Sequence, residues 1–173
     1  SLRLIPNLDV IRPSNSMELI HSYRYALEKK DNPKAIILSR QNMKFFDNEV
    51  SYKDFQTGAY EFMPGKDITL VVTGSELELA VEISKNLKDL SVQIISAPIL
   101  NRINKERIES LNLNQNIFTL ELGRSTGWDS YIENITRSFS IDSFGESAPI
   151  EALTERFSFS AKKISDEIRS LLN

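Results

Sequence analysis

Apolar residues in this chain come in short, nearly unbroken runs, Ala35-Ile36-Ile37-Leu38, Ile68-Thr69-Leu70-Val71-Val72 and Val92-Gln93-Ile94-Ile95, with helix-spaced segments between them. Strands read this way when both faces of their sheet are covered, which is the condition of parallel sheets. The pattern restricts the chain to α/β architecture with crossover connections. Leu8-Asp9-Val10-Ile11-Arg12 reads as a strand stopped by Pro13, which has no N–H to give a ladder. Asn15 and Glu18 have capping-box spacing, and Leu19, Ile20, Tyr23, Ala26 and Leu27 share one helical face. Asn32-Pro33 breaks that helix, so the first stretch is a parallel crossover unit whose second strand, Ala35 to Leu38, is expected to be covered on both faces.

From Gln41 to Lys66 the apolar period is lost, the aromatic residues Phe45, Phe46, Tyr52, Phe55 and Tyr60 alternate with polar ones, and Pro64-Gly65 marks a turn. So many rings in one connection predict that it packs across a surface. A second series follows, with a strand at Ile68 to Val72, a helix carrying Leu77, Ala80, Ile83, Ser84 and Leu87 on one stripe, and a strand from Val92. Ile117 to Leu120 and Phe139 to Ile141 are further strand candidates. Ala161, Ile164, Ile168, Leu171 and Leu172, behind Ser160, predict a closing helix. The expected fold is α/β, two doubly wound units with mostly parallel sheets, the first of them incomplete.

With 40% hydrophobic and 26% charged residues, the 173 residues have material for a core and for a solvated surface. A net charge of -3, with 21 scattered basic residues, argues against nucleic acid as a partner. No apolar run approaches the roughly 20 residues that cross a bilayer, and Ser1 to Arg3 does not open a signal peptide, so a cytoplasmic location is expected. The absence of cysteine removes disulfides, thiolate nucleophiles and cysteine-metal sites.

Few residues offer chemistry. Thr73-Gly74-Ser75-Glu76 lies where a strand hands over to a helix, but one glycine makes neither a dinucleotide fingerprint nor a P-loop, and an ordinary acidic helix start is the simpler reading. His21, the sole histidine, lies nearly opposite the Ile20–Tyr23–Leu27 stripe and is expected on the surface. Asp47, Glu49, Asp54 and Glu61 have no recognised metal spacing and read as a solvated acidic face, while Trp128 reads as core packing. Arg40 follows an apolar strand at its carboxyl end, where open α/β sheets bind ligands. Its guanidinium suits a phosphate, and the residues alone leave open a plain surface role.

Four stretches taken together carry a resemblance: Ser1-Leu2-Arg3 to Arg12-Pro13, Ile37-Leu38-Ser39-Arg40-Gln41-Asn42, Thr73-Gly74-Ser75-Glu76-Leu77-Glu78-Leu79-Ala80 and Phe144-Gly145-Glu146-Ser147-Ala148-Pro149. In order and spacing the chain resembles the C-terminal part of transketolases. The resemblance implies that residues 1–43 end the pyrimidine-binding domain, 44–66 link the domains, and 67–173 form the C-terminal domain. It implies a parent homodimer that uses thiamine diphosphate and Mg2+ or another divalent metal to move a two-carbon ketol unit between sugar phosphates, in the pentose phosphate pathway. Arg40 matches the family arginine that grips the substrate phosphate. The Gly-Asp-Gly metal motif, the cofactor-activating glutamate and the Asp-Gly-Pro-Thr-His segment do not occur here, so no catalytic, cofactor or metal residue is expected and the fragment alone should be inactive. After Gly127-Trp128-Asp129, where many members have arginine, stands Ser130. Two alternatives stay open: an autonomous dimerisation or regulatory module with helix starts such as Ser75 as its site, and the equivalent tail of a pyruvate dehydrogenase first-component β chain or of deoxyxylulose phosphate synthase. The Ser39-Arg40-Gln41-Asn42 string favours transketolase over the latter.

Overall fold

The computed structural model describes residues 2–47 and 50–172. Strand β1 (Asp9–Ile11) leads through Pro13 to helix α1 (Ser16–Glu28), and β2 (Lys34–Ile36) returns parallel to β1 with Val10 opposite Ala35. The helix start forms as the spacing predicts. The Asn15 side chain accepts from the Glu18 N–H at 2.9 Å, and the Glu18 carboxylate reaches back to the Ser14 N–H at 2.6 Å.

Two expectations for this unit fail for one reason. The apolar stripe of α1 faces outward, with Ile20 58%, Tyr23 53% and Leu27 75% exposed, while Glu18, His21, Ser22 and Tyr25 are buried. Strand β2 is only half-buried, and Ile37 and Leu38 beyond it are exposed. A two-stranded sheet has too little surface to cover a helix stripe or a second strand face. The inner face of α1 is therefore chosen by what packs on it from the second unit, which is polar and aromatic.

Helix α2 (Tyr52–Phe55) and strand β3 (Tyr60–Met63) lie within the predicted connection. Phe46, Tyr52, Phe55 and Tyr60 pack against the core as expected, with Phe55 fully buried, whereas Phe45 is 75% exposed. The second sheet continues with β4 (Ile68–Val72), α3 (Glu76–Asn86), β5 (Val92–Ser96), α4 (Lys105–Leu111), β6 (Asn116–Leu120) and β7 (Ile135–Phe139). Its order is β3-β5-β4-β6-β7, parallel except for β3 on the edge. The strand expected at Phe139 to Ile141 instead ends at Phe139. Its polar residues Thr136 and Arg137 are exposed, as suits an edge strand, and they hid it from an apolar reading.

Helices α5 (Ile150–Arg156) and α6 (Ala161–Leu172) close the chain. Leu70, Val72, Ile94, Phe118 and Leu120 meet Leu77, Ala80, Ile83, Leu87, Ile164 and Ile168 on one face of the sheet, whereas Val71, Ile95 and Ile117 meet Leu111, Trp128 and Ile132 on the other. Alternation along strands covered on both faces follows from the period of two. The predicted α3 stripe and the Trp128 core role both hold, and the α6 stripe holds except for Leu171, which is 48% exposed. Among the described residues no helix is long and apolar enough to cross a membrane.

The two edges of the first sheet differ. The outward N–H of Val10 donates to the Asn101 side chain at 3.2 Å and that of Arg12 to the Pro98 carbonyl at 2.8 Å, so β1 is closed by the second unit. Among the described residues strand β2 pairs only with β1, which leaves the N–H groups of Ile36 and Leu38 on an open edge. Hydrogen exchange should therefore find Ile36 and Leu38 weakly protected, Val10 intermediate, and Leu70 and Val71 among the last to exchange. Equal protection at Ile36 and Leu70 would mean that another chain covers the β2 edge.

Candidate functional site

In an open α/β sheet ligands bind outside the carboxyl ends of the strands, where successive connections leave in opposite directions. In the second sheet that point lies between β4 and β6, whose connections are Thr73-Gly74-Ser75 and Glu121-Leu122-Gly123. Gly74 has φ +66°, a conformation that most side chains disfavour. The crevice is filled from the first unit. Arg12 Nη1 donates to Glu121 Oε1 at 2.6 Å, and Nη2 donates to Glu76 Oε1 at 3.1 Å and Oε2 at 3.3 Å. Glu121 also accepts from Arg3 Nη1 at 2.6 Å and from the Trp128 indole N–H at 2.9 Å. Glu76 accepts from the Leu122 N–H and, at 2.8 Å, from the Ser75 hydroxyl.

Burial pushes the Glu121 carboxyl up, but the hydrogen bond and charge of Arg3, with the charge of Arg12, outweigh it and hold the group below its ordinary value. Burial likewise works against the Arg12 charge, and Glu76 and Glu121 overcome it and raise its pKa. The start of α3 is thus more than the ordinary acidic start expected of it. Glu76 places a carboxylate where an anion would have to sit, and Ser75 makes no cap hydrogen bond with its side chain.

A second cluster joins the units. Glu18, fully buried, accepts from Ser14 N–H at one oxygen, and from Tyr60 Oη at 2.8 Å and Ser96 Oγ at 2.6 Å at the other. Beside it His21 is buried rather than exposed. Its Nε2 lies 2.9 Å from the Val50 carbonyl, its ring packs on Tyr52 and Phe55, and its Nδ1 has no partner. Further along, Arg102 grips Asp9 through Nε and Nη2, each at 2.8 Å, and Tyr25 donates to the same carboxylate.

Arg40 sits after β2, exposed, with no hydrogen bond or ion pair holding its guanidinium among the described residues. Its neighbours Gln41, Asn42 and Met43 line a cleft of about 340 Å³ with Ser75, Glu78 and Leu122, and Ser39 and Lys44 line another of about 320 Å³ beside Asn15 and Ser16. Of the acidic residues, Asp54 lies in α2, where its N–H donates to the N-cap Ser51 and its carboxylate accepts from the Ser51 hydroxyl and pairs with Arg107, Glu61 accepts from Gln93, Asp47 is exposed, and Glu49 lies outside the described residues. Among the described residues no three potential ligands gather into a metal site.

Sequence reasoning named Arg40 but missed Arg12, Glu121, Arg3 and Glu18 as members of clusters. Arg12 is 64 residues from one partner and 109 from the other, and nothing local marks such a pairing.

Comparison with known proteins sets this geometry in context. A family model described as "Transketolase-like TK C-terminal domain" matches residues 58–160, and one described as "Transketolase, pyrimidine binding domain" matches 1–45. The chain belongs to the transketolase family. It is 34% identical to the transketolase of Halalkalibacterium halodurans and 32% identical to that of Bacillus subtilis, over 99% and 100% of its own length. It spans only 28% of the length of those curated relatives. Its fold superposes on transketolase from Leishmania mexicana with a TM-score of 0.86 and on that from Campylobacter jejuni with 0.85, at 28% and 29% identity, covering 98% of this chain and 26% and 27% of theirs.

The Glu18 cluster should respond to pH with a defined sign. Burial raises the Glu18 carboxyl, and the hydrogen bonds from Ser96, Ser14 and Tyr60 only partly offset it. A carboxyl raised in the folded state contributes stability below its unfolded value, about 4.3, and loses it as pH rises through the folded value. Glu18→Gln keeps the shape and cannot ionise, so its melting temperature relative to wild type should climb from about pH 4 to about pH 7. Glu18→Ala orphans the Ser14 N–H and should lose about 1–3 kcal/mol at any pH. Thermal melts of both variants across that range would check this, and a parallel pH profile for wild type and Glu18→Gln would refute it.

Proposed function

We propose that this chain is the C-terminal part of a transketolase that transfers a two-carbon ketol unit between sugar phosphates in the pentose phosphate pathway, as a cytoplasmic homodimer. One observation carries the reading: within a chain matched along both units by transketolase models, Leu38-Ser39-Arg40-Gln41-Asn42 leaves a parallel strand and presents an exposed arginine at its carboxyl end. Residues 1–43 are the end of the pyrimidine-binding domain, 44–66 the connection, and 67–173 the C-terminal domain, to which the connection lends β3 as an edge strand.

The cofactor of this reaction is thiamine diphosphate with a divalent metal, which supplies the nucleophilic carbon. The residues of this chain do not fit that group. No carboxylate cluster suits a metal among the described residues, and the one crevice at a sheet switch point carries Glu76 and is filled by Arg12. The chain's own part in the chemistry is binding. Arg40 holds the substrate phosphate, at the far end of the sugar from the bond that breaks, through a charged fork.

A phosphate contact remote from the reacting carbon supports ground state and transition state alike, so its loss falls on KM rather than kcat. In the complete enzyme Arg40→Ala should raise KM for a sugar phosphate roughly ten- to a hundredfold, with little effect on the dephosphorylated sugar. Arg40→Lys should fall between. Equal impairment of both substrates would remove Arg40 from the phosphate site. For the chain by itself, titration calorimetry with thiamine diphosphate and Mg2+ should show no saturable binding, and micromolar affinity would overturn the assignment of the cofactor site elsewhere.

A further inference from the structure

We propose that the crevice between the carboxyl ends of β4 and β6 is a guanidinium-binding site of the second unit, that Arg12 is its resident ligand, and that a free guanidinium compound occupies it when the Arg12 side chain is removed.

Three features make the crevice a receptor for this one group. Two carboxylates, Glu76 at the start of α3 and Glu121 just after β6, accept hydrogen bonds from the two terminal nitrogens of a single planar fork. At Gly74 the guanidinium lies against bare backbone, where an added Cβ would come within 3.3 Å of Cζ, Nε and Nη2 of Arg12. With Arg12 in place both acids are buried, with side chains 1% and 7% exposed, so the guanidinium is the group that covers and compensates them. Glu121 keeps Arg3 as a second cation, but the other partners of Glu76 are the Leu122 N–H and the Ser75 hydroxyl, both neutral. Removing the guanidinium therefore leaves Glu76 without a cation beside a space of guanidinium shape. An ammonium ion is a compact point charge without the planar fork, and urea has the plane without the charge, so neither satisfies the two acids together.

The experiment uses the full chain carrying Arg12→Ala, melted in the presence of methylguanidinium chloride and, separately, of equal concentrations of sodium chloride, methylammonium chloride and urea. The melting temperature of the variant should rise with methylguanidinium by roughly 2–4 °C at millimolar concentration, beyond any effect of the other three. Wild type, whose site is filled, should not gain, and Arg12→Ala with Glu76→Gln should lose the response. Should Arg12→Ala fail to fold, Arg12→Met keeps the apolar stem and serves as host, read by the yield of refolded chain with and without methylguanidinium. Equal responses to all three cations, or a response that survives Glu76→Gln, would overturn the proposal. The outcome is independent of catalysis, so it stands or falls apart from the role of Arg40.

Discussion

The placement of one unit on the other depends on a half-buried cation between two buried acids. Arg12 follows directly from β1, and its backbone N–H is already tied to the Pro98 carbonyl, so the guanidinium is delivered to Glu76 and Glu121 by a strand that cannot shift. Desolvating such a group costs much of what its ion pairs return, so the cluster adds little to stability as a whole. Breaking it is another matter, because one lost partner leaves an unpaired buried charge at a cost of about 3–5 kcal/mol. The cluster thus acts as a register pin: it penalises every other arrangement of the units more than it rewards this one.

The same logic runs through the rest of the contact. Glu18 meets Tyr60 and Ser96, Asp9 meets Arg102, and Asn101 meets both Val10 and Leu8. Apolar packing continues beside these bonds, since Ile11, Tyr25, Val50 and Phe55 belong to the core that includes Leu70 and Phe118. Burial supplies the attraction and the polar pairs supply direction. This explains why α1 turns its polar side inward. Polar groups with partners waiting in the second unit lose less on burial than they would unpaired, whereas the Ile20–Tyr23–Leu27 stripe has no apolar surface to meet among the described residues.

Much of the second unit was legible because its code is local. Ile68 to Val72 and Val92 to Ile95 announce covered strands, and Leu77, Ala80 and Ile83 announce the helix stripe between them, since each residue's burial follows from its position in its own element. Strand β7 escaped because an edge strand with Thr136 and Arg137 outside has no apolar run. The orientation of α1 escaped for a deeper reason. Amphipathic reading assumes that the apolar face is the inner one, and here the decision is made by Tyr60, Ser96 and Val50, far along the chain. The Arg12 cluster was illegible on the same ground, while Arg40 drew notice because strand-end position and motif are both local.

The contrast between these two arginines lies in what holds each guanidinium: Arg12 is engaged by two carboxylates, and Arg40 is exposed. Arg3 gives only Nη1 to Glu121, its Nε and Nη2 having no partner among the described residues, whereas Arg12 and Arg102 each spend their donors on carboxylates that fix one segment against another. A guanidinium so engaged cannot also take a phosphate, because the ligand would have to displace buried acids and strand them. Arg40 stands at the end of a strand whose partner, β1, is pinned to the second unit through Arg12, Val10 and Asp9. Its backbone origin inherits that placement while its side chain stays free. In the role proposed for it, Arg40 would offer a phosphate a donor fork with no internal contact to give up among the described residues, while the half-buried Arg12 and Arg102 hold β1, the partner of β2, in place.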